Sequence, residues 1–239
     1  MTSSAFDTRD LQALDPLHPR HPARSLQAVM QHWGGQGDLW IFGYASLIWR
    51  PDFDFTERHF AQVHGYHRAL KMWSRVNRGS KACPGLVFGL LPGGSCKGVV
   101  FRLPEAKVAA ILPALWDREM PNGVYDAKWL HCKIQAPSNI STDVACDAGF
   151  NTAPNTTPKT RSTNTVTALA FTLSKRSPNF TGVLESSAYQ QIFANATGRF
   201  GSTLDYAQQT HDGLRAVGIH DQSLAQLLTL AQAASKLPL

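Results

Sequence analysis

The segment Trp116-Asp117-Arg118-Glu119-Met120 sets two carboxylates around an arginine, just ahead of Pro121-Asn122-Gly123. A carboxylate in that place stands at the end of an element, where catalytic groups are often presented. Most acidic residues at a helix end are exposed and only loosely paired. Glu119 differs in its company, with Trp116, Met120, Val124 and Tyr125 close by in sequence. Partial desolvation by such neighbours raises a carboxylate's pKa and makes it a better proton acceptor.

Other residue types that do chemistry are present in weaker patterns. His59, His64 and His67 lie close together, but on a strand residues three apart face opposite sides, so no metal site is expected. The stretch 64–81 carries Arg68, Lys71, Arg75, Arg78 and Lys81 among Tyr66 and Trp73. Basic residues mixed with aromatics suit a single-stranded nucleic acid, and they suit a small anionic substrate equally well. A solvated basic face is the plainest reading. Cys83, Cys96, Cys132 and Cys146 show no CxxC or zinc-type spacing and are expected to be reduced and structural. The chain has no GxSxG, P-loop, GxGxxG or HExxH pattern.

The elements that must position these groups are legible in outline. Ser25 is expected to cap a short helix over 26–33 that stops at Gly34-Gly35. A strand is expected at 39–44, then one long bent strand or two short ones over 55–73, with Gly65 at the bend. Residues 85–103 read as a hairpin turning at Pro92-Gly93-Gly94. Pro104 should open a helix that Pro113 kinks or restarts and that ends before Gly123. A strand follows over 124–135. Residues 136–164, rich in Ser, Thr, Asn and Pro, read as a mobile insertion. "TVTALAFTL" resumes the sheet, and helices at 186–196, 203–217 and 221–236 close the chain. This order gives an α+β class with a mainly antiparallel, barrel-like sheet and surrounding helices. The expected organisation is a flexible N-terminal arm over 1–24 and one catalytic domain over 25–239.

Bulk properties narrow the partners. The net charge of +6 comes with only 17% charged residues, so the protein is mildly basic rather than polybasic. No apolar run is long enough for a membrane span, and the N-terminus lacks a signal-peptide pattern. A cytoplasmic protein with no membrane or nucleic-acid partner is expected. No pattern in the chain specifies an oligomeric state.

Phe42-Gly43-Tyr44-Ala45-Ser46-Leu47-Ile48-Trp49 leaves a buried strand through small residues flanked by aromatics, as a turn would whose backbone approaches a ligand. It resembles the YGSL signature of the gamma-glutamylcyclotransferases, and most closely the FGYGSLIW form of the ChaC-like branch that degrades glutathione. "WSRVNRG", "PGLVFGLLPGG", "GVVFRL", "LWDREMPNGVYD", "SPNFTG" and "ANATGRFGSTLDY" resemble further motifs of that family in the same order. The likeness covers about 39–217 apart from the insertion.

The resemblance implies a cofactor-independent, metal-free enzyme acting on a small gamma-glutamyl compound, expected to be glutathione. Glu119 matches the catalytic glutamate. Tyr44, Ala45, Ser46 and Leu47 match the loop that holds the gamma-glutamyl group through its backbone, and Tyr125 matches a tyrosine near the glutamate. Arg50, Arg75 and Arg78 are candidates for a substrate carboxylate, with Arg78 assigned to substrate binding. Ala45 replaces a usual glycine, Phe180 a common tyrosine and Thr203 a common asparagine. These departures keep open an inactive or altered-specificity member of the same fold, acting on another gamma-glutamyl amide or amine. A basic nucleic-acid-binding module built on 64–81 is the other class.

Overall fold

The computed structural model describes residues 15, 17–135 and 165–234. The insertion assigned to 136–164 and most of the assigned N-terminal arm lie outside the described residues. The elements run α1 (Pro22–Trp33), β1 (Leu39–Gly43), α2 (Ser46–Trp49), β2 (Glu57–Ser74), β3 (Gly85–Leu103), α3 (Glu105–Glu119), β4 (Asp126–Ile134) and β5 (Thr165–Thr172). They continue with α4 (Ser186–Asn195), β6 (Thr197–Gly198), β7 (Gly201–Ser202), α5 (Thr203–Ala216) and α6 (Gln222–Ala234). No helix among these residues is long and apolar enough to cross a membrane.

The sheet closes into a barrel in the order β1-β3-β2-β4-β5. Its ladders are antiparallel except where β5 pairs with β1 and touches β3. The expected α+β class with a mainly antiparallel, barrel-like sheet is therefore the observed one. Alternation of side chains sends successive residues to opposite faces of each strand. Leu39, Ile41, Leu169 and Phe171 pack with Val108, Leu112 and Trp116 of α3. Phe42, Ala168 and Ala170 join a second cluster with Tyr189, Tyr206, Leu214 and Leu228 from α4, α5 and α6.

Three local expectations are corrected. The helix starts at Pro22, so Ser25 lies inside it. Its hydroxyl donates to the Pro22 carbonyl at 3.0 Å and accepts from Trp116 Nε1 at 2.9 Å, which ties α1 to α3. Residues 85–103 form one continuous strand and no hairpin, paired to β2 from Ser74↔Gly85 to Glu57↔Arg102. Gly93 and Gly94, with φ of 103° and 71°, lie opposite Gly65, with φ of 83°. Left-handed backbone of this kind favours glycine. Here it bends two paired strands together without reversing either, and the register shifts between His64 and Tyr66, then again between Ala69 and Met72. Finally, α3 does not restart at Pro113 but continues as one helix to Glu119. Its N-terminus is capped from another element, since Asp38 Oδ1 accepts the Glu105 N–H at 2.8 Å.

Candidate active site

α3 ends at Glu119, and the turn after β1 folds against that end. Arg118 makes the join. Its Nη1 donates to the carbonyls of Arg50 at 2.7 Å and Pro51 at 3.2 Å and to Asp52 Oδ2 at 2.9 Å. Its Nη2 donates to Ser46 Oγ at 3.2 Å, and its Nε lies 3.1 Å from Glu119 Oε1. The planar guanidinium suits this role because its donors are fixed relative to one another.

A cavity of about 190 Å³ opens beside this junction. Ser46, Arg78, Glu119 and Tyr125, four of the residues singled out in the sequence, line it together with Tyr206 and Asn179. Tyr44 lies beside Tyr125, whose hydroxyl donates to the Phe88 carbonyl at 3.0 Å, and feels the charge of Glu119. Ala45 and Leu47 are buried behind the wall, 7% and 5% exposed, and do not line the cavity. Among the described residues, no backbone carbonyl takes the N–H of Ala45, Ser46 or Leu47. Ala45 has φ of −141°, outside the left-handed region, so the position does not demand glycine on that account.

The electrostatics separate one carboxylate from several neutral hydroxyls. The Glu119 side chain is 15% exposed. Burial raises its pKa above the ordinary glutamate range, while the cations of Arg118 and Arg50 pull it back down. Tyr44 and Tyr125 are pushed well above the usual phenol range by burial and by the charges and phenols around them. Tyr206 is raised to about 12, first by burial and then by the Glu119 charge. All three phenols remain protonated near neutral pH, and the Tyr125 hydroxyl donates its proton to the Phe88 carbonyl at 3.0 Å.

The basic stretch does not form one solvated face. Arg68 is buried in an ion pair with Asp221. Arg75 donates to Asn179 Oδ1 at 3.0 Å. The Arg78 guanidinium donates to the Phe200 carbonyl and sits 4.9 Å from the centre of the Tyr206 ring. Burial lowers the Arg78 pKa, without threatening a charge of such high intrinsic pKa. Arg50, Arg75 and Arg78 all line the cavity. Arg50 Nε is 3.1 Å from Asp52 Oδ2 but off the hydrogen-bond axis, so that contact is ionic. Of the three histidines, His59 bonds Glu57 at 2.9 Å and His67 bonds the Gly93 carbonyl at 2.9 Å.

Two departures from the motif pattern acquire structural roles. Thr203 is fully buried, accepts the Leu86 N–H at 2.9 Å and donates to the Arg78 carbonyl at 3.0 Å. It staples the Arg78 loop to β3, at a crossing where a Cβ on Gly85 would lie 2.0 Å from the Arg78 oxygen. Phe180 does not line the cavity. It pairs with Met72 across an isolated bridge and packs into the α3-side core.

Sequence reasoning missed Arg118 and Tyr206 as parts of the site. Arg118 had a local signal, since it directly precedes Glu119. Tyr206 had a weaker one, as the aromatic in the first turn of a helix whose capping box joins Ser202 and Asp205.

Known proteins fit this architecture. A family model described as ChaC-like protein matches residues 39–234. The glutathione-specific gamma-glutamylcyclotransferase of Escherichia coli (strain K12) is 31% identical over 206 residues, spanning 86% of this chain and 78% of that protein. Glutathione-specific gamma-glutamylcyclotransferase 1 of Homo sapiens is 29% identical over 194 residues, or 80% of this chain and 77% of its own length. In fold, the chain is similar to the crystal structure of a gamma-glutamyl cyclotransferase specific to glutathione from yeast. The TM-score is 0.66 at 18% identity, covering 83% of this chain and 97% of that one. The matched span takes in the whole barrel and the helices that wall the cavity, and the chain belongs to the ChaC-like protein family.

Proposed function

We propose that this protein is a gamma-glutamylcyclotransferase whose base is Glu119 and whose substrate is glutathione. The observation that carries the reading is a buried carboxylate at a cavity wall, with its pKa raised by that burial and protonated phenols around it. The choice of glutathione rests on the relatives, which carry that specificity in their names.

The α-amine of the gamma-glutamyl group attacks the γ-carbonyl of the same residue. A C–N bond forms within the ring, the γ-amide C–N bond breaks, and 5-oxoproline and Cys-Gly leave. The nucleophile is tethered to the electrophile, so holding the folded conformer supplies much of the rate. Glu119 takes a proton from the attacking ammonium and returns one to the departing amine. A carboxylate with a raised pKa can do both. The free N–H groups of the Ala45–Leu47 turn and the neutral Tyr206 phenol at the cavity wall are donors for charge developing on the carbonyl oxygen. Arg50, Arg75 and Arg78 give the cavity a cationic lining that favours an anionic substrate.

The test is turnover of glutathione by wild type and Glu119→Gln, with 5-oxoproline and Cys-Gly measured directly. Wild type should form both products, and the folded variant should lose on the order of a thousandfold in kcat. Turnover of another gamma-glutamyl amide but not glutathione would move the specificity. Equal turnover by the variant would remove Glu119 as the base.

A further inference from the structure

Behind the Tyr44–Leu47 turn lies a second buried ion pair. The Arg68 side chain is 5% exposed and that of Asp221 16%. Arg68 Nε donates to Asp221 Oδ2 at 2.9 Å, and Nη2 donates to the same oxygen. Its Nη1 donates to the Tyr44 carbonyl at 2.8 Å and to the Lys97 carbonyl at 3.1 Å. Asp221 also caps α6, since its Oδ1 accepts the Leu224 N–H at 3.0 Å. One guanidinium thus joins the last helix, β3 and the first residue of the turn.

The geometry points to Arg68 as a positioning residue for the proposed reaction, held in place by Asp221. This inference rests on the cyclotransferase reading. In a trans peptide the carbonyl and the following N–H point in opposite directions. Fixing the Tyr44 oxygen on Arg68 therefore fixes the Ala45 N–H on the other side. Arg68 and Asp221 line a separate cavity of about 490 Å³ between β2, α4 and α6, whereas Ser46 lines the Glu119 cavity. The turn has its anchor on one side and the reaction space on the other. From behind, the Ala45 and Leu47 side chains are held by apolar packing, and within the turn the Ala45 carbonyl accepts the Ile48 N–H at 2.9 Å. Apolar contacts place a turn but do not orient a peptide plane, while a charge-assisted hydrogen bond does.

The test compares wild type with Arg68→Lys, Asp221→Asn and the control Leu228→Ala, at a temperature where circular dichroism shows each folded. Lysine keeps the charge but cannot serve Tyr44 and Asp221 together. Leu228 is buried on the same helix and brings no polar group. Arg68→Lys and Asp221→Asn should each lower kcat for glutathione by about tenfold or more while KM moves less than about threefold, as expected when transition-state donors lose alignment. The double variant should be no worse than the poorer single one, since both act through one link. Leu228→Ala, destabilised by cavity formation, should keep kcat within about threefold of wild type. Unchanged kcat in the two polar variants, or an equal fall in Leu228→Ala, overturns the assignment.

Amide exchange of the peptide spanning 42–50 provides a readout independent of turnover. Faster exchange in Arg68→Lys and Asp221→Asn than in Leu228→Ala supports the link, and equal exchange overturns it. If wild type turns over no gamma-glutamyl substrate, the cyclotransferase reading fails while exchange still decides whether Arg68 orders the turn. If Arg68→Lys does not fold, Asp221→Asn carries both readouts.

Discussion

The protein buries two arginine–carboxylate pairs on either side of one turn, and they are built differently. Asp221 receives two donors from Arg68 on one oxygen and a helix N–H on the other. Among the described residues, the ion-pair contact of Glu119 is Arg118 Nε at 3.1 Å, while the rest of that guanidinium serves Arg50, Pro51, Asp52 and Ser46. A buried carboxylate whose lone pairs are taken up by donors serves structure. One left short of donors stays ready to take a proton. Burial alone does not distinguish the two. The count of donors does.

Breaking the structural pair should have the larger effect on stability. Asp221→Ala leaves Arg68 buried without its counter-ion and should cost roughly 3–5 kcal/mol in urea unfolding. A cost below about 1 kcal/mol would place Asp221 among ordinary surface pairs and erase the contrast.

Loosening the other pair should be read in protonation. The Arg118 cation lowers the Glu119 pKa, so Arg118→Gln should raise it further. The acid limb of the pH–rate profile should then move to higher pH. A limb that stays in place, or moves down, would mean that Arg118 does not tune the base.

The smallest effect is on stability against pH. The folded pKa of Glu119 lies above its unfolded value. Its contribution is therefore fully present below the unfolded pKa and is lost as pH rises through the folded pKa. Glu119→Gln removes that loss. The variant should gain on wild type as pH rises through the Glu119 pKa, and the gain should disappear in acid. Thermal midpoints measured from acid to neutral pH would show it. A variant less stable than wild type at neutral pH would mean that the Arg118 contact outweighs desolvation.

The parts of this site visible in the sequence were local ones. Glu119 stood out by its apolar neighbours, and the Tyr44–Leu47 turn by small residues following a buried strand. The barrel was legible because period-two alternation marks half-buried strands. The misses were distant or compensated. Arg68 and Asp221 are separated by 153 positions, and neither residue carries a local sign of the other. Gly93-Gly94 has the chemistry of a reversing turn, and only the matching bend at Gly65 on the partner strand makes it a bulge. Ser25 is a good capping residue that a proline three positions earlier displaced into the helix.

The two register shifts of β2 have a consequence for parity. Before the first shift, odd positions such as Ala61 and Val63 join the cluster shared with α4–α6. Between the shifts the even residue Tyr66 joins it, as does Leu70 within the second shift, and after that shift Trp73 restores the odd frame. Arg68 lies in the even window, on the same side as those two. A strand without bulges would turn Arg68 away from Tyr44 while leaving Val63 and Trp73 where they are. The pair of bulges works as a local frame change, opened by one slip and closed by the other.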